Sequence, residues 1–575
     1  MTFKKTLISS AIIASTALLS ACGSSSSDPE TTPPPSNSAP TDITLSSNTV
    51  AENAMAATIG TLSATDSDAG DTFTFTTADE RFVISGDELA LAESVVFDFE
   101  VDQSVDVTVQ VEDSAGNTFS KALTIEITDE LDFYGFASKF VDGESSVSYS
   151  GQIARHALIA ELNHFIGEQL QSEIDAGNIA SRQDVLDRLD RLFRTTEEQW
   201  DNFPITFTTG TKQTFFTDIA SYKSLVGKIA GNDATGQHKD WTVAGTMTGW
   251  DSDTTPEGLV DILFGQLADN AEQYILGNQR LDADGAIITK LYLNADGTDL
   301  KQLIQKFLLG AVAYSQAMDD YFGDETEGKG LTTDNVSAVD GKSYSNLEHQ
   351  FDEGYGYFGA ARNYLSYNDN ELAGKVESEE DGRADWNGKH DTDGDGVIDL
   401  LSEYNWGNST NAAKRDRGTV GNTNPTNYTQ DIMEALLAGR SLINENAGMA
   451  LSAEQMEELV GYRDAVSKGW ERAIATTVVH YINDTIADLE NLGTDDFNLE
   501  DTAKHFSEMK GFALGLQFNP YSEISDADFD EIHRLMDVSP DLDTTTVATY
   551  IEDLKTARTM IATSLSLDEE NVLNW

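Results

Sequence analysis

The sequence predicts a mainly α protein, a helical-bundle domain preceded by a small β-sandwich, and three observations carry that reading. Apolar residues alternate with a period of two between about Pro40 and Asp129, and recur with a period of 3.6 from about Phe133 onward. Gly/Asp turns punctuate the first stretch roughly every ten residues, which is the rhythm of short sandwich strands. The second stretch consists of long amphipathic runs joined by polar loops, as in helical bundles. A chain of 575 residues is long enough for two or more domains with substantial cores.

Composition narrows the function classes. Lys and Arg total 36 against 99 Asp and Glu, a formal charge of −63, so the field repels nucleic acid and anionic lipid and favours metal cations or basic partners. Adaptation to a salty exterior accounts for most of this acidity, so charge alone identifies no ligand. The single cysteine, Cys22, excludes an intrachain disulfide, a Cys-ligated zinc, a further Cys nucleophile and covalent haem attachment.

Taken in order, Met1 to Cys22 carries Lys4 and Lys5, an apolar run through Leu7, Ile12, Ile13, Leu18 and Leu19, and the ending Leu19-Ser20-Ala21-Cys22. The run is too short for a mature membrane span and reads as an export signal. Its ending resembles the bacterial lipobox, which implies lipidation of Cys22 as the first residue of the mature protein. By the same resemblance, Gly23 implies the outer membrane or cell surface of a Gram-negative bacterium. Residues 23–41, Ser-rich and then Pro-rich through Pro33, Pro34 and Pro35, cannot bury a core and form a tether.

Residues 42–129 hold the alternating runs Phe73-Thr74-Phe75 and Val105 to Val111. They resemble bacterial cadherin-like repeats, with Ala51-Glu52-Asn53-Ala54, Asp66-Ser67-Asp68, Phe97-Asp98-Phe99-Glu100 and Val111-Glu112-Asp113 at the acidic motif positions. The resemblance implies calcium at Glu52, Asp66, Asp68 and Glu100. Because only one repeat is present, a spacer with solvated acidic loops stands as the alternative.

Residues 130–575 form the helical domain. The spacing predicts helices over Gly151 to Ile174, Ser181 to Phe203, Pro256 to Gly277, Asp299 to Phe322, Ser345 to Leu365, Asn427 to Asn446, Ala453 to Leu492, Thr502 to Phe518 and Thr544 to Ser564. Ser345 to Leu365 is the most informative. Leu347, Phe351, Tyr355 and Phe358 make one apolar stripe, and His349, Glu353, Gly356 and Ala360 another, where small residues admit a neighbouring helix. His349 and Glu353, at i and i+4, can reach one shared ion from successive turns. A core His bonded to its own carboxylate is the bland alternative.

The clearest local motif is Asp391-Thr392-Asp393-Gly394-Asp395-Gly396-Val397-Ile398-Asp399. Asp391, Asp393, Asp395 and Asp399 supply carboxylates at positions 1, 3, 5 and 9, Val397 a carbonyl at 7, and Gly396 the sharp turn, a spacing suited to calcium. Ser402 stands where a bidentate Glu is usual, and Glu403 comes one residue late. The motif, placed at 391–403, resembles half an EF-hand and reads as structural before catalytic.

Other helices offer His156, Glu161, His505 and Glu508, with His480 on a polar face; His and carboxylates projecting from several helices are how bundles build metal sites. The lipobox, Asn346-Leu347-Glu348-His349-Gln350-Phe351-Asp352-Glu353 and His505-Phe506-Ser507-Glu508-Met509-Lys510-Gly511-Phe512 together resemble an uncharacterised bacterial lipoprotein family similar to the imelysins, iron-regulated proteins of two helical bundles. Imelysins carry Gly-x-His-x-x-Glu; here Asp352 falls at the Glu position and Glu353 one later. The resemblance implies iron or zinc held by His349 with Asp352 or Glu353, and a metal-handling lipoprotein whose partners are the membrane, metal ions and an outer-membrane receptor or surface protein. A metal-dependent, peptidase-like hydrolase using the same residues is the second expectation. A calcium-stabilised adhesion or scaffold protein is the third. No His-Glu-x-x-His helix and no Gly-x-Ser-x-Gly elbow occurs.

Overall fold

Strict alternation produces two four-stranded sheets at the N-terminal side. The computed structural model describes residues 37–575 apart from 94, 98, 100–101, 231–236, 252 and 284; the predicted signal and most of the tether, with Cys22, lie outside the described residues, as does Glu100. The chain divides into two units between Glu130 and Leu131.

In the first unit, β1 (Asp42–Leu45), β2 (Thr49–Ala51), β3 (Thr58–Thr65), β4 (Thr74–Thr77), β5 (Phe82–Ser85), β6 (Glu88–Leu91), β7 (Ser104–Glu112) and β8 (Thr118–Thr128) form sheets ordered β1-β3-β6-β5 and β2-β8-β7-β4. β2 runs parallel to β8, with Val50 opposite Ile127, and the other pairs are antiparallel. Val105, Val107, Val109 and Val111 of β7 all face inward while the residues between them face water. They share a core with Ile43, Leu62, Phe75 and Leu89.

The second unit is helical. Its order is α1 (Ser150–His164), α2 (Leu170–Asp175), α3 (Arg182–Phe193), α4 (Glu197–Trp200), α5 (Phe216–Ile219), α6 (Pro256–Ile275), α7 (Leu300–Leu308), α8 (Asn346–Phe358), α9 (Asp369–Leu372) and α10 (Gly407–Arg417). There follow α11 (Tyr428–Glu445), α12 (Ala453–Leu489), α13 (Leu499–Gly515), α14 (Asp526–Met536), α15 (Val547–Ser564) and α16 (Glu569–Asn574). α12, opened by a capping box at Ser452, is the long axis against which α10, α11, α13 and α15 pack. Beyond α7 the helix widens into π-helical turns at Leu309–Tyr314 and Ala317–Tyr321. There a Cβ on Gly310 would stand 2.5 Å from Gly515 Cα, so the backbones touch only because both residues are glycine. Among the described residues no helix is long and apolar enough to cross a membrane.

Several expected helices change length for local reasons. α8 stops at Phe358, short of Leu365, because Gly359 adopts a left-handed φ of +82° and its N–H closes on Tyr355 O. The run Ser181 to Phe203 splits after Phe193, where Thr196 opens a new capping box for α4. Helices α10, α14 and α16 arise where no long apolar period announces them, and Arg280–Leu281 pairs with Ile287–Ile288 as a small antiparallel ribbon.

Candidate functional site

The face of α8 meets α1 as the small residues predict: a Cβ on Gly356 would lie 2.8 Å from Tyr149 Cβ and 2.9 Å from Gln152 Cβ. That approach fixes the partners of the His349/Glu353 pair. His349 Nδ1–H donates to Ser148 O at 3.0 Å and its ring stacks on Tyr344. Glu353 Oε1 accepts from Gln152 Nε2 at 2.8 Å and lies 3.9 Å from His349 Nε2. The two side chains do come together, but with no third metal-type ligand among the described residues.

Asp352, the alternative ligand, belongs to a buried ion-pair network. Its carboxylate accepts from Arg440 Nε at 2.8 Å, Tyr134 Oη at 3.0 Å and Ser148 N at 2.8 Å. Arg440 also reaches Glu348 at 3.1 Å and Ser146 Oγ at 2.8 Å, and Asn444 completes Glu348. Arg440, Glu348 and Asp352 are each fully buried. Burial opposes the Arg440 charge, but Asp352, Tyr134 and Glu348 outweigh it and raise its pKa. With three protein donors on its carboxylate, one of them a buried guanidinium, Asp352 serves as the anion of this network.

The remaining candidates are distributed over separate neighbourhoods. His156 is buried, bonded to Tyr357 O at 3.1 Å and stacked on Trp406, and burial lowers its pKa to about 4. Glu161 accepts from Thr206 N, Thr206 Oγ1 and Phe207 N, anchoring a loop. Glu508 pairs with Lys306 at 3.2 Å. His505 Nδ1 bonds Asp488 at 2.7 Å, and against the opposing effect of burial that carboxylate raises its pKa. His505 Nε2 lies 3.9 Å from Asp484 Oδ2, which His480 Nε2 approaches to 3.3 Å. The expected multi-helix set of His349, His156, Glu161, His505 and Glu508 therefore does not form one site among the described residues; each residue has its own separate partners.

The acidic loop behaves differently. Among the described residues, the ligand atoms of Asp391, Asp393 and Asp395 lie within 4.8 Å of one another. Asx-type turns hold them there: Asp395 N bonds Asp391 Oδ1 at 3.1 Å and Asp393 Oδ1 at 3.0 Å, Gly396 N bonds Asp391 Oδ2 at 2.8 Å, and Val397 N bonds Asp395 Oδ1 at 3.0 Å. Glu403, 4% exposed, clamps the two ends of the loop. Its Oε1 accepts from Thr392 N at 2.7 Å and Asp393 N at 3.3 Å, and its Oε2 from Asp399 N at 2.7 Å. Asp399 stands apart from the three: it pairs with Lys212 at 3.2 Å and accepts from Gln213 at 2.8 Å. None of the three converging carboxylates makes an ion pair among the described residues, which is the donor set a hard divalent cation completes.

A second acidic group stands in the first unit, where Asp66, Asp71 and Asp113 meet the same 4.8 Å criterion. Asn37 and Ser114 bond Asp71, Asn117 bonds Asp113, and Ser38 N bonds Asp68. Asp66 Oδ2 is buried with no hydrogen-bond partner. Glu52 is not part of it. It accepts from Phe99 N and Glu130 N near the end of β8, whereas Asp113 precedes the start of that strand. Of the expected ligands that are described, Glu52 thus lies at the opposite end of the unit from Asp66 and Asp68, and Asp71 and Asp113 stand beside Asp66 in its place. The signal for Asp113 is the Val111-Glu112-Asp113 motif itself; Asp71, in an ordinary turn sequence, has none.

Residues 134–392 match the model of a family described as Domain of unknown function (DUF4856). No curated protein and no solved structure matches the chain.

Proposed function

We propose that this protein is an exported, membrane-tethered binding or scaffold protein held in shape by calcium, not an enzyme. The observation that carries the reading is the loop at Asp391, Asp393 and Asp395: three convergent carboxylates without a protein cation, on a backbone pre-shaped by Glu403. The group at Asp66, Asp71 and Asp113, with its unpaired buried oxygen, supports a second calcium position in a cadherin-like unit. The lipobox resemblance at Cys22 supports the tether. The test is metal analysis of the mature chain purified without chelator, beside Asp393→Ala/Asp395→Ala. Calcium that falls by one equivalent in the variant is expected; equal calcium in both proteins defeats the reading.

Transition-metal handling, the function that resemblance to imelysins implies, is favoured as a second reading by one observation away from α8. His480 and His505 each approach Asp484 Oδ2, at 3.3 and 3.9 Å, and Asp488 bonds His505 Nδ1 from behind, the support that metal-bound imidazoles use, although the three ligand atoms do not all lie within 4.8 Å of one another. Iron or zinc retained by wild type and lost in His480→Ala/His505→Ala supports uptake. Retention of neither metal removes it.

A further inference from the structure

A cleft of about 450 Å3 opens beside the acidic loop, between the α9 end, the start of α10 and the segments that flank the loop. Its size falls in the range of small-molecule sites. Nothing derived above uses it.

Three features define what it would accept. Tyr404 and Trp406 form an aromatic wall, ring centroids 4.3 Å apart and inclined at 40°. Trp406 is 4% exposed, and its buried indole N–H has no acceptor among the described residues, an expense that buried tryptophans ordinarily avoid. Side-chain donors line the cleft itself. The Lys389 ammonium lies 5.7 Å from the Tyr404 ring centroid and makes no ion pair among the described residues. The Asn387 side chain uses its oxygen on Val376 N, leaving its N–H groups for the cleft.

The third feature is charge. In a chain with 99 acidic and 36 basic residues, no carboxylate lines this cleft and a lysine does. The site is a local exception to a field that repels anions.

We infer that the cleft binds an acidic saccharide, a pyranose ring carrying a carboxylate, of the uronic-acid class. The apolar C–H face of the ring packs against Tyr404, as apolar surface packs on aromatic rings. Ring and hydroxyl oxygens accept from Asn387, and the carboxylate pairs with Lys389. The cleft wall and the acidic loop share one hairpin base, where Lys389 bridges Tyr404 and Asn405 N bonds Gly388 O at 3.1 Å. The inference nevertheless stands without a metal in the loop.

The test is titration of the mature chain with trigalacturonate and trimannuronate, with galactotriose and acetate as controls, all at one constant calcium concentration. At least one uronate is expected to bind, with galactotriose and acetate each weaker by about tenfold or more. Asn387→Asp, which keeps the oxygen on Val376 N but removes the N–H donors, and Lys389→Met, which keeps the stem but removes the charge, should each weaken the uronate by about tenfold. Binding of neither uronate, equal binding of galactotriose, or uronate affinity unchanged in Lys389→Met would overturn the inference.

Discussion

Carboxylates occupy the inside of α8 and the tip of the loop at 391–395, yet the chain treats them in opposite ways. Glu348 and Asp352 are sealed at 0% exposure against Arg440, with tyrosine, serine and asparagine donors filling their remaining lone pairs. Asp391, Asp393 and Asp395 converge within 4.8 Å, and among the described residues only backbone N–H groups bond them. Where the chain supplies its own cation the acids are structural. Where it supplies the geometry and no cation of its own, the acids form the calcium position proposed above.

The largest effect should come from breaking the inner set. Arg440→Leu strands two buried carboxylates and should cost about 3–5 kcal/mol, read as a fall in melting temperature that added calcium does not restore. A variant that calcium rescues would erase the distinction between the two sets.

Acid should act on the interior through a neutral group. His156 has a folded pKa of about 4, below its unfolded value of about 6.5. Its contribution is complete above about pH 6.5 and is lost as pH falls toward 4, a total of about 3 kcal/mol at roughly 1.4 kcal/mol per unit. His156→Gln keeps a donor for Tyr357 O and cannot titrate, so denaturation across that window should show a shallower acid limb. An unchanged limb would place the acid sensitivity elsewhere.

The loop should respond in affinity more than in fold. Glu403→Gln weakens the clamp on Thr392, Asp393 and Asp399, and calcium should bind about tenfold more weakly, roughly 1.4 kcal/mol. Titration calorimetry reads this directly, and unchanged affinity would show that the carboxylates hold their places unaided. Smallest is Lys212→Met. The Lys212 side chain is half exposed, so its pair with Asp399 should contribute under about 1 kcal/mol. A gain in calcium affinity there would mean that Asp399, once released, joins the ion.

Much of this was legible in the sequence, for reasons tied to short-range pattern. Val105 to Val111 alternate because one face of β7 is buried. Gly356 marks the approach to α1 because only a small residue fits against Tyr149, and the Asp spacing of the loop is itself a ligand geometry. What could not be read depended on distant partners. Arg440 lies 88 residues from Asp352, and no local pattern announces that it will saturate that carboxylate. Helix α10 carries no apolar period; it is held by buried Asn408, Ser409, Arg415 and Asp416, so tertiary contacts make it a helix. The candidate metal set failed for the same reason: facing inward places a histidine in a core but does not choose its neighbour. Gly359 is the exception, a readable stop one residue after Phe358.

The contrast between sealed and open carboxylates comes down to whether the open set takes up an ion. Calorimetric titration of calcium into the chelator-stripped mature chain, wild type beside Asp393→Ala/Asp395→Ala, is the direct measurement. One saturable calcium site present in wild type and missing from the variant is the predicted result. Identical isotherms from the two proteins would contradict it.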